Sequence, residues 1–287
     1  MPLMTTTPKL IIFTDLDGTL LDRETYSFEP ALPALHRIRQ DGIPLIITSS
    51  KTRAEIEFYR AQLQMDHPFI SENGGAAFIP RDYFSFPFPY HNESDKYFVL
   101  EFGTSYPRII DALNFIRHET GIPITGFSDL TEKEIVSLCG LSTKEAESSK
   151  KREYDEPFLI NGTEAEIEIV KTKIRERGMN YFWGGRFHHI LGRNDKGKAV
   201  TIIRKLFENE YFFITTLGIG DSSSDLPMLL AVDHPVFLKE RDVPLPEFPP
   251  AIHNLVTIEG TGPEAWNRTI LKFVNHMMDT DSESYEK

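Results

Sequence analysis

The chain has 287 residues, which is enough for two compact units, and its hydrophobic fraction of 40% is ordinary for a globular protein. Its 31 basic and 43 acidic residues give a formal net charge of −12, which disfavours nucleic acid and anionic membranes as partners. The sequence contains no apolar run long enough to span a bilayer, and we expect no secretory signal. It has a single cysteine, Cys139, which is typical of a reducing compartment. The protein is therefore predicted to be cytoplasmic.

Apolar runs typical of buried strands alternate with helical patterns as far as about residue 80. The first run covers residues 10–14 and the second is IPLIITSS. A helix is predicted after each run, near residues 29–40 and 52–65. This alternation favours a parallel sheet with crossover helices.

The pattern changes after residue 80. RDYFSFPFPYHNESDK has no regular period and is predicted to be a linker, although a packed aromatic loop fits equally well. Mixed strand and helix patterns follow as far as residue 189, and the βα pattern returns from Asp195. We therefore expect an α/β fold with a doubly wound parallel-sheet core domain, residues 1–84 and 190–287. An α+β cap domain, residues 85–189, is predicted to be inserted into it.

Polar residues cluster at four places where predicted strands end or helices begin. In an open α/β sheet, functional residues collect at the carboxyl edge of the strands. Each cluster alone is explained by helix capping or by a solvated surface, but four together indicate a site. The clusters are Asp15 with Asp17, Thr48 to Lys51, Lys196, and Asp221 to Asp225.

These residue types suit phosphoryl transfer. An ionised carboxylate is a nucleophile, but it repels a phosphate dianion unless a cation such as Mg²⁺ lies between them. Asp15 and Asp221 are the obvious carboxylate pair for Mg²⁺. A hydroxyl and an ammonium group, from Ser49 and Lys196, would bind the remaining phosphoryl oxygens. Asp17 is placed to protonate the leaving oxygen and later to deprotonate water.

Four motifs resemble those of the haloacid dehalogenase-like phosphatases: DLDGT, the hydroxyl cluster, the lysine before a helix, and GDSSSD. The insertion between the second and third motifs resembles the C2-type cap of Cof-like members. More narrowly, SSKTRAEIEFYR, ENGGAAFIP, REYDEPF, GGRFHHI and DKGKAV resemble the mannosyl-3-phosphoglycerate phosphatase family. The resemblance runs from about Pro8 to about Val274.

The resemblance implies a role for each motif residue. Asp15 would be the nucleophile and a metal ligand, and Asp17 the acid/base and a metal ligand through its backbone carbonyl. Asp221 would also bind the metal, while Ser49 and Lys196 would hold the phosphate.

Two residues of the fourth motif are expected to support the metal site without binding the metal directly. Asp225 would orient Lys196 or a metal-bound water. Ser224 stands where the family commonly has Asn, and its shorter side chain is expected to reach a metal through water.

The resemblance also implies the substrate, a small anionic phosphorylated glycoside: mannosyl-3-phosphoglycerate, which would give mannosylglycerate, a compatible solute. Its carboxylate needs a charged partner, for which Arg186 is the first choice and Arg193 the second. Strand alternation puts residues 187 and 189 on one face and 186 and 188 on the other. His189 and Lys51 are candidates for sugar or glycerate oxygens, and Asn73 in ENGGAAF is a further candidate.

Other interpretations remain open at this point. Another sugar-phosphate phosphatase, such as one for glucosyl-3-phosphoglycerate, or a phosphomannomutase would share the motifs. GRNDKGKA nearly spells a P-loop with Lys198, but Ala199 lacks the required hydroxyl. GIGDSS begins like a dinucleotide fingerprint but has Ser223 in place of the third glycine. A non-catalytic binding protein would have no need of both Asp15 and Asp17, and the oligomeric state stays open.

Overall fold

The structure, a computed structural model, describes residues 8–184 and 186–284, with side chains as far as residue 277. The strands are β1 (Lys9–Thr14), β2 (Leu45–Thr48), β3 (Phe69–Ser71), β4 (Ala76–Pro80), β5 (Asn92–Glu93), β6 (Tyr97–Glu101), β7 (Ile124–Gly126), β8 (Asp155–Ile160), β9 (Asn180–Trp183), β10 (His188–Leu191), β11 (Ile214–Gly220), β12 (His234–Lys239) and β13 (Val256–Glu259). The α-helices are α1 (Leu32–Gln40), α2 (Arg53–Gln62), α3 (Tyr106–Thr120), α4 (Glu132–Cys139), α5 (Thr143–Ser149), α6 (Glu164–Glu176), α7 (Lys196–Tyr211), α8 (Leu226–Leu230) and α9 (Gly262–Ser284).

The chain divides into two compact units. The first comprises the residues up to Ile47, Asp82–Phe88 and the residues from Val200 onwards, and the second comprises Thr48–Arg81 and Pro89–Ala199. Of the expected cap, residues 89–189 lie in the second unit and 85–88 in the first. The predicted domain boundaries themselves stay a prediction.

The first unit is built on parallel strands in the order β13-β12-β11-β1-β2. The centre of β1 is fully buried at Ile11, Ile12 and Phe13, as expected for a strand covered on both faces. Phe13 lies opposite Gly218 of β11. Because β1 and β11 run side by side in the same direction, the residues that follow them meet at one edge of the sheet.

An aromatic loop also belongs to the first unit. Phe84 is buried, and its ring lies 5.2 Å from that of Phe207 on α7. This part of the predicted linker is therefore a packed aromatic loop.

The second unit contains two antiparallel arrangements. One has the strand order β3-β4-β6-β5, and the other is a four-stranded sheet in the order β7-β8-β10-β9. Helices α3 and α6 pack on this second sheet. The core between them contains Ile109, Leu113, Phe158, Ile174 and Ile190.

Four helices of the second unit begin with the same local signal. Each of α2, α4, α5 and α6 starts at a Ser or Thr whose side chain accepts the N–H three residues later, where a Glu side chain accepts in return. Such a capping residue stabilises a helix by about 1 kcal/mol. The pairs are Thr52–Glu55, Thr131–Glu134, Ser142–Glu145 and Thr163–Glu166.

The predicted α/β class is confirmed. The helix expected near residues 29–40 is α1, preceded by a short 3₁₀ turn at Glu29–Ala31. Among the described residues, no helix is long and apolar enough to cross a bilayer.

Candidate active site

Asp15 and Asp221 lie at the carboxyl ends of the neighbouring strands β1 and β11. The backbone N–H of Asp15 donates to the carbonyl oxygen of Ile219 at 3.0 Å, which continues the strand pairing to the site. The residue before Asp15 is also fixed, because the indole N–H of Trp266 donates to Thr14 Oγ1 at 3.0 Å. The sheet therefore brings together two carboxylates that stand 206 residues apart in the sequence.

A third carboxylate, Asp225, completes an acidic group. Asp15, Asp221 and Asp225 each offer an oxygen, and these oxygens lie within 4.8 Å of one another. Burial, followed by repulsion from Asp225, raises the pKa of Asp221 to about 6. Crowded carboxylate oxygens, such as those of Asp15 and Asp221, are donors that a hard divalent cation prefers. The residues present therefore fit a metal such as Mg²⁺.

Asp225 is held by the turn that it follows. Its Oδ2 accepts the backbone N–H of Asp221 at 3.1 Å and that of Ser222 at 3.0 Å. Ser224 Oγ lies 2.8 Å from Ser222 Oγ. Ser224 is thus hydrogen-bonded within its own turn.

The loop after Asp15 encloses the Asp221 carboxylate. Asp17 is half-buried and forms an isolated bridge to Leu21, which turns the chain back. Thr19 Oγ1 donates to Asp221 Oδ1 at 3.0 Å, and Arg23 Nη2 donates to Asp221 Oδ2. Gly18 has a φ of +82°, and a Cβ at this position would collide with the Asp221 carboxylate and with Arg23. A glycine is therefore required where the loop approaches Asp221.

Ser49, Lys51 and Lys196 belong to the second unit, and all three are buried. The carbonyl oxygen of Ser49 accepts the N–H of Asn73 at 3.0 Å, so the hydroxyl loop is tied to the turn after β3. The Lys51 ammonium group lies 3.7 Å from Glu55 Oε1. Lys196 is the first residue of α7, where the helix dipole favours a bound anion.

The turn after β3 is strained and strongly braced. Glu72 and Asn73 have φ values of 46° and 56°, a region that non-glycine residues rarely occupy. The buried Glu72 carboxylate accepts three successive backbone N–H groups, those of residues 153–155, at 2.8–3.1 Å. These bonds offset the strain and fix the start of β8 against the turn.

Asn73 and His189 are brought together by Asp155. The Asn73 amide donates to Asp155 Oδ2 at 2.8 Å, and His189 Nδ1 lies 3.0 Å from the same oxygen. His188 faces the other way, with its Nδ1 2.7 Å from Tyr181 Oη and its ring stacked on Phe158. The predicted alternation of these two histidines is confirmed.

The two candidate arginines lie elsewhere in the second unit. Arg186 is exposed, and its Nη1 donates to the carbonyl oxygen of Cys139 at 3.3 Å. Arg193 is also exposed, and its Nε donates to the carbonyl oxygen of Gly178 at 3.1 Å, in the turn after α6. Arg193 is therefore engaged in closing that turn.

Comparison with known sequences assigns a family. Residues 12–245 match the family described as haloacid dehalogenase-like hydrolase. The chain belongs to the haloacid dehalogenase-like hydrolases. The predicted recognition of this superfamily, and of a phosphatase within it, is confirmed.

Several haloacid dehalogenase-like relatives match most of the chain. A Methanococcoides burtonii protein named glucosyl-3-phosphoglycerate/mannosyl-3-phosphoglycerate phosphatase is 46% identical, over 93% of this chain and 97% of its own. A Pyrococcus furiosus protein named mannosyl-3-phosphoglycerate phosphatase is 35% identical, over 78% of this chain and 88% of its own. The crystal structure of a haloacid dehalogenase-like hydrolase from Bacteroides thetaiotaomicron shares the fold, with a TM-score of 0.62 and 18% identity, covering 93% of this chain and all of that one (100%).

Three residues around the haloacid dehalogenase-like motifs were not predicted from the sequence: Arg23, Arg152 and Asp155. Asp155 lies in REYDEPF, where two acidic residues, Asp155 and Glu156, begin a strand that continues with apolar residues, and such a pattern is a signal of internal polar contacts. The P-loop interpretation finds no support, because Lys198 is exposed and its ammonium group pairs with Asp195 at 3.2 Å.

Proposed function

We propose that this haloacid dehalogenase-like hydrolase is a Mg²⁺-dependent phosphomonoesterase that converts mannosyl-3-phosphoglycerate to mannosylglycerate and phosphate. The observation that carries the substrate is the 46% identity to the Methanococcoides burtonii phosphatase over 93% of the chain. The name of that relative includes the glucosyl substrate, so glucosyl-3-phosphoglycerate is the second candidate.

The proposed reaction passes through an aspartyl-phosphate. A carboxylate oxygen of Asp15 attacks phosphorus, and the bond from phosphorus to the glycerate oxygen breaks. Asp17 gives that oxygen its proton. Asp17 then takes a proton from water, which attacks phosphorus, releases phosphate and restores Asp15.

The burial of Asp15 and its proximity to Asp221 and Asp225 support its role as the nucleophile beside a metal ion. A buried carboxylate is poorly solvated, and the nearby Asp221 and Asp225 add negative charge. Bound Mg²⁺ would be held by Asp15, Asp221 and the backbone carbonyl of Asp17, and would offset the charge of these groups and of the phosphate. Asp225, fixed by two backbone N–H groups, would orient Lys196 or a metal-bound water.

Ser49 and Lys196 are proposed to bind the phosphoryl oxygens. Their assignment rests on the motifs of the family, and it is supported by the burial of both side chains. Ser224, held by Ser222, is proposed to meet the metal through water.

The substrate's carboxylate and sugar are assigned to residues of the second unit. Arg186 remains the first candidate for the glycerate carboxylate, because its bond to Cys139 is long and its side chain is exposed. Arg193, already bonded at Gly178, is the second candidate. Lys51, Asn73 and His189 are proposed to contact sugar or glycerate oxygens.

A kinetic panel tests this function. Phosphate release would be measured with mannosyl-3-phosphoglycerate, glucosyl-3-phosphoglycerate, 3-phosphoglycerate and mannose 6-phosphate, with Mg²⁺ and with EDTA. We expect the highest kcat/KM with mannosyl-3-phosphoglycerate and loss of activity in EDTA. Full activity in EDTA would refute the proposed dependence on Mg²⁺. Equal kcat/KM values across the panel would refute the proposed preference for mannosyl-3-phosphoglycerate.

A further inference from the structure

A buried carboxylate that the proposed reaction does not use lies at the start of β8. Asp155 has no exposed surface. Its Oδ2 accepts the amide N–H of Asn73 at 2.8 Å, and both of its oxygens lie 3.0–3.1 Å from His189 Nδ1. One carboxylate therefore sets the orientation of two side chains at once.

Asp155 is paired with a buried cation. Arg152 Nη1 lies 3.8 Å from Asp155 Oδ2. Burial acts to lower the pKa of the Arg152 guanidinium, but the surrounding carboxylates, Asp155 foremost, together raise that pKa above its usual value. Asp155 thus accepts from the Asn73 amide and lies beside a guanidinium, which can only donate, so its carboxylate acts as an acceptor toward both neighbours.

The acceptor character of Asp155 fixes the polarity of its neighbours. Asn73 must present its amide nitrogen to Asp155, so its Oδ1 atom points away from Asp155. That Oδ1 is buried and has no hydrogen-bond partner among the residues that the structure describes. A His189 ring that donates to Asp155 from Nδ1 and carries no second proton presents Nε2 as an acceptor as well.

The Gly184 backbone lies close to His189 Nε2 and carries no side chain that would cover this nitrogen. A Cβ at Gly184, in the exposed turn after β9, would lie 2.8 Å from this nitrogen. The His189 ring is held on its face by Phe182, with centroids 4.3 Å apart and planes inclined by 12°. The ring is thus fixed, and a side chain at residue 184 would crowd its Nε2 atom.

We propose that Asp155 is a positioning residue that makes Asn73 and His189 hydrogen-bond acceptors for the hydroxyl groups of the substrate's sugar, next to Gly184. Two acceptors bind donors, and in the proposed substrate the donors are the sugar hydroxyls. The phosphate and the glycerate carboxylate are themselves hydrogen-bond acceptors, so they would not form hydrogen bonds with these two acceptor atoms. This inference rests on the proposed function and assigns its sugar-binding group.

The tautomer of His189 is tested by ¹⁵N NMR on the full chain, without substrate. The signal is identified by its loss in His189→Gln. We expect a proton on Nδ1 and none on Nε2 at neutral pH, and a changed tautomer ratio in Asp155→Asn, because the new amide also donates. A proton on Nε2 in the wild-type protein would overturn the inference.

Kinetics test the sugar. The readout is the ratio of kcat/KM for mannosyl-3-phosphoglycerate to that for 3-phosphoglycerate, which keeps the phosphate and carboxylate but lacks the sugar. We expect Asp155→Asn and Gly184→Ala each to lower this ratio by roughly ten- to a hundredfold, the scale of one or two lost hydrogen bonds. The control Asp129→Asn removes a surface carboxylate that pairs with Arg117 and should keep the ratio.

The outcomes separate the two proposals. A wild-type ratio near one would contradict the proposed substrate. A high wild-type ratio that persists in both variants would leave the proposed function standing and overturn the role of Asp155.

Discussion

Arg23 donates a hydrogen bond to Asp221, although the arginine side chain is 55% exposed and the Asp221 side chain is 1% exposed. Thr19 donates to the other oxygen of the same carboxylate. Both oxygens of the proposed metal ligand are therefore already engaged by donors, and one of the donors carries a positive charge.

The first prediction concerns the affinity for Mg²⁺. Because the Arg23 guanidinium competes with a cation for Asp221 and repels it, Arg23→Gln should bind Mg²⁺ more tightly, by about three- to tenfold. Isothermal titration calorimetry gives this affinity without an activity assay. Arg37→Gln, which breaks a pair with Asp41 elsewhere in the first unit, is the control. Unchanged or weaker binding in Arg23→Gln would contradict the prediction.

The second prediction compares two lysines at the start of α7. Lys196 is buried, whereas Lys198 is exposed and pairs with Asp195. Lys196→Ala should lower kcat/KM by about a hundredfold or more, because a charged hydrogen bond to the phosphate is lost. Lys198→Ala should stay near the wild-type value. A larger loss in Lys198→Ala would revive the P-loop interpretation.

The third prediction concerns the glycerate carboxylate. The readout is the ratio of kcat/KM for mannosyl-3-phosphoglycerate to that for p-nitrophenyl phosphate, which has no carboxylate. Arg186→Ala should lower this ratio by roughly ten- to a hundredfold, equivalent to about 1.5 to 3 kcal/mol. Arg193→Ala should lower it less, because that guanidinium is bonded to Gly178. If Arg193→Ala lowers this ratio more than Arg186→Ala does, Arg193 and not Arg186 is the partner of the glycerate carboxylate.

The fourth prediction is a pH dependence of stability. Burial, together with Lys171 and His189, lowers the pKa of His188 below 6.5. Since the unfolded chain binds this proton more readily, the stability contribution is present above pH 6.5 and is lost as the pH falls through the folded pKa.

The test is urea unfolding at several pH values. We expect the free energy of unfolding of the wild-type protein to fall from about pH 7 to about pH 5, and His188→Phe to lose part of this dependence. His118→Phe, at an exposed position on α3, is the matched control. Parallel pH profiles for the wild-type protein and His188→Phe would rule out His188 as a source of the dependence.

Much of the fold was predictable because the signals are local. The apolar run before Asp15 and the run before Asp221 each mark a buried strand end, and parallel pairing places such ends at one edge. The capping residues of the helices, such as Thr52 and Thr163, are likewise visible in the sequence as Ser or Thr followed three residues later by Glu.

The contacts of Asp155 and Arg23 were not predictable, because they join distant residues. Asp155 meets Asn73 from 82 positions away, and Arg23 meets Asp221 from 198 positions away. Neither pairing follows from periodicity or spacing, since each depends on the tertiary placement of a loop, and Asn73 moreover has a positive φ. The exposed setting of Arg186 and Arg193 also required the structure, because strand alternation alone gives a face but no partner.

The most direct test of the proposed mechanism is to trap phosphate on Asp15. The enzyme would be mixed with mannosyl-3-phosphoglycerate and Mg²⁺, quenched in acid and treated with borohydride, which reduces an aspartyl-phosphate to homoserine. Mass spectrometry of the tryptic peptide of residues 10–23 then locates the change. We predict homoserine at position 15, and its absence with EDTA or in Asp15→Asn. An unmodified peptide under turnover, or homoserine at position 17, would contradict the mechanism.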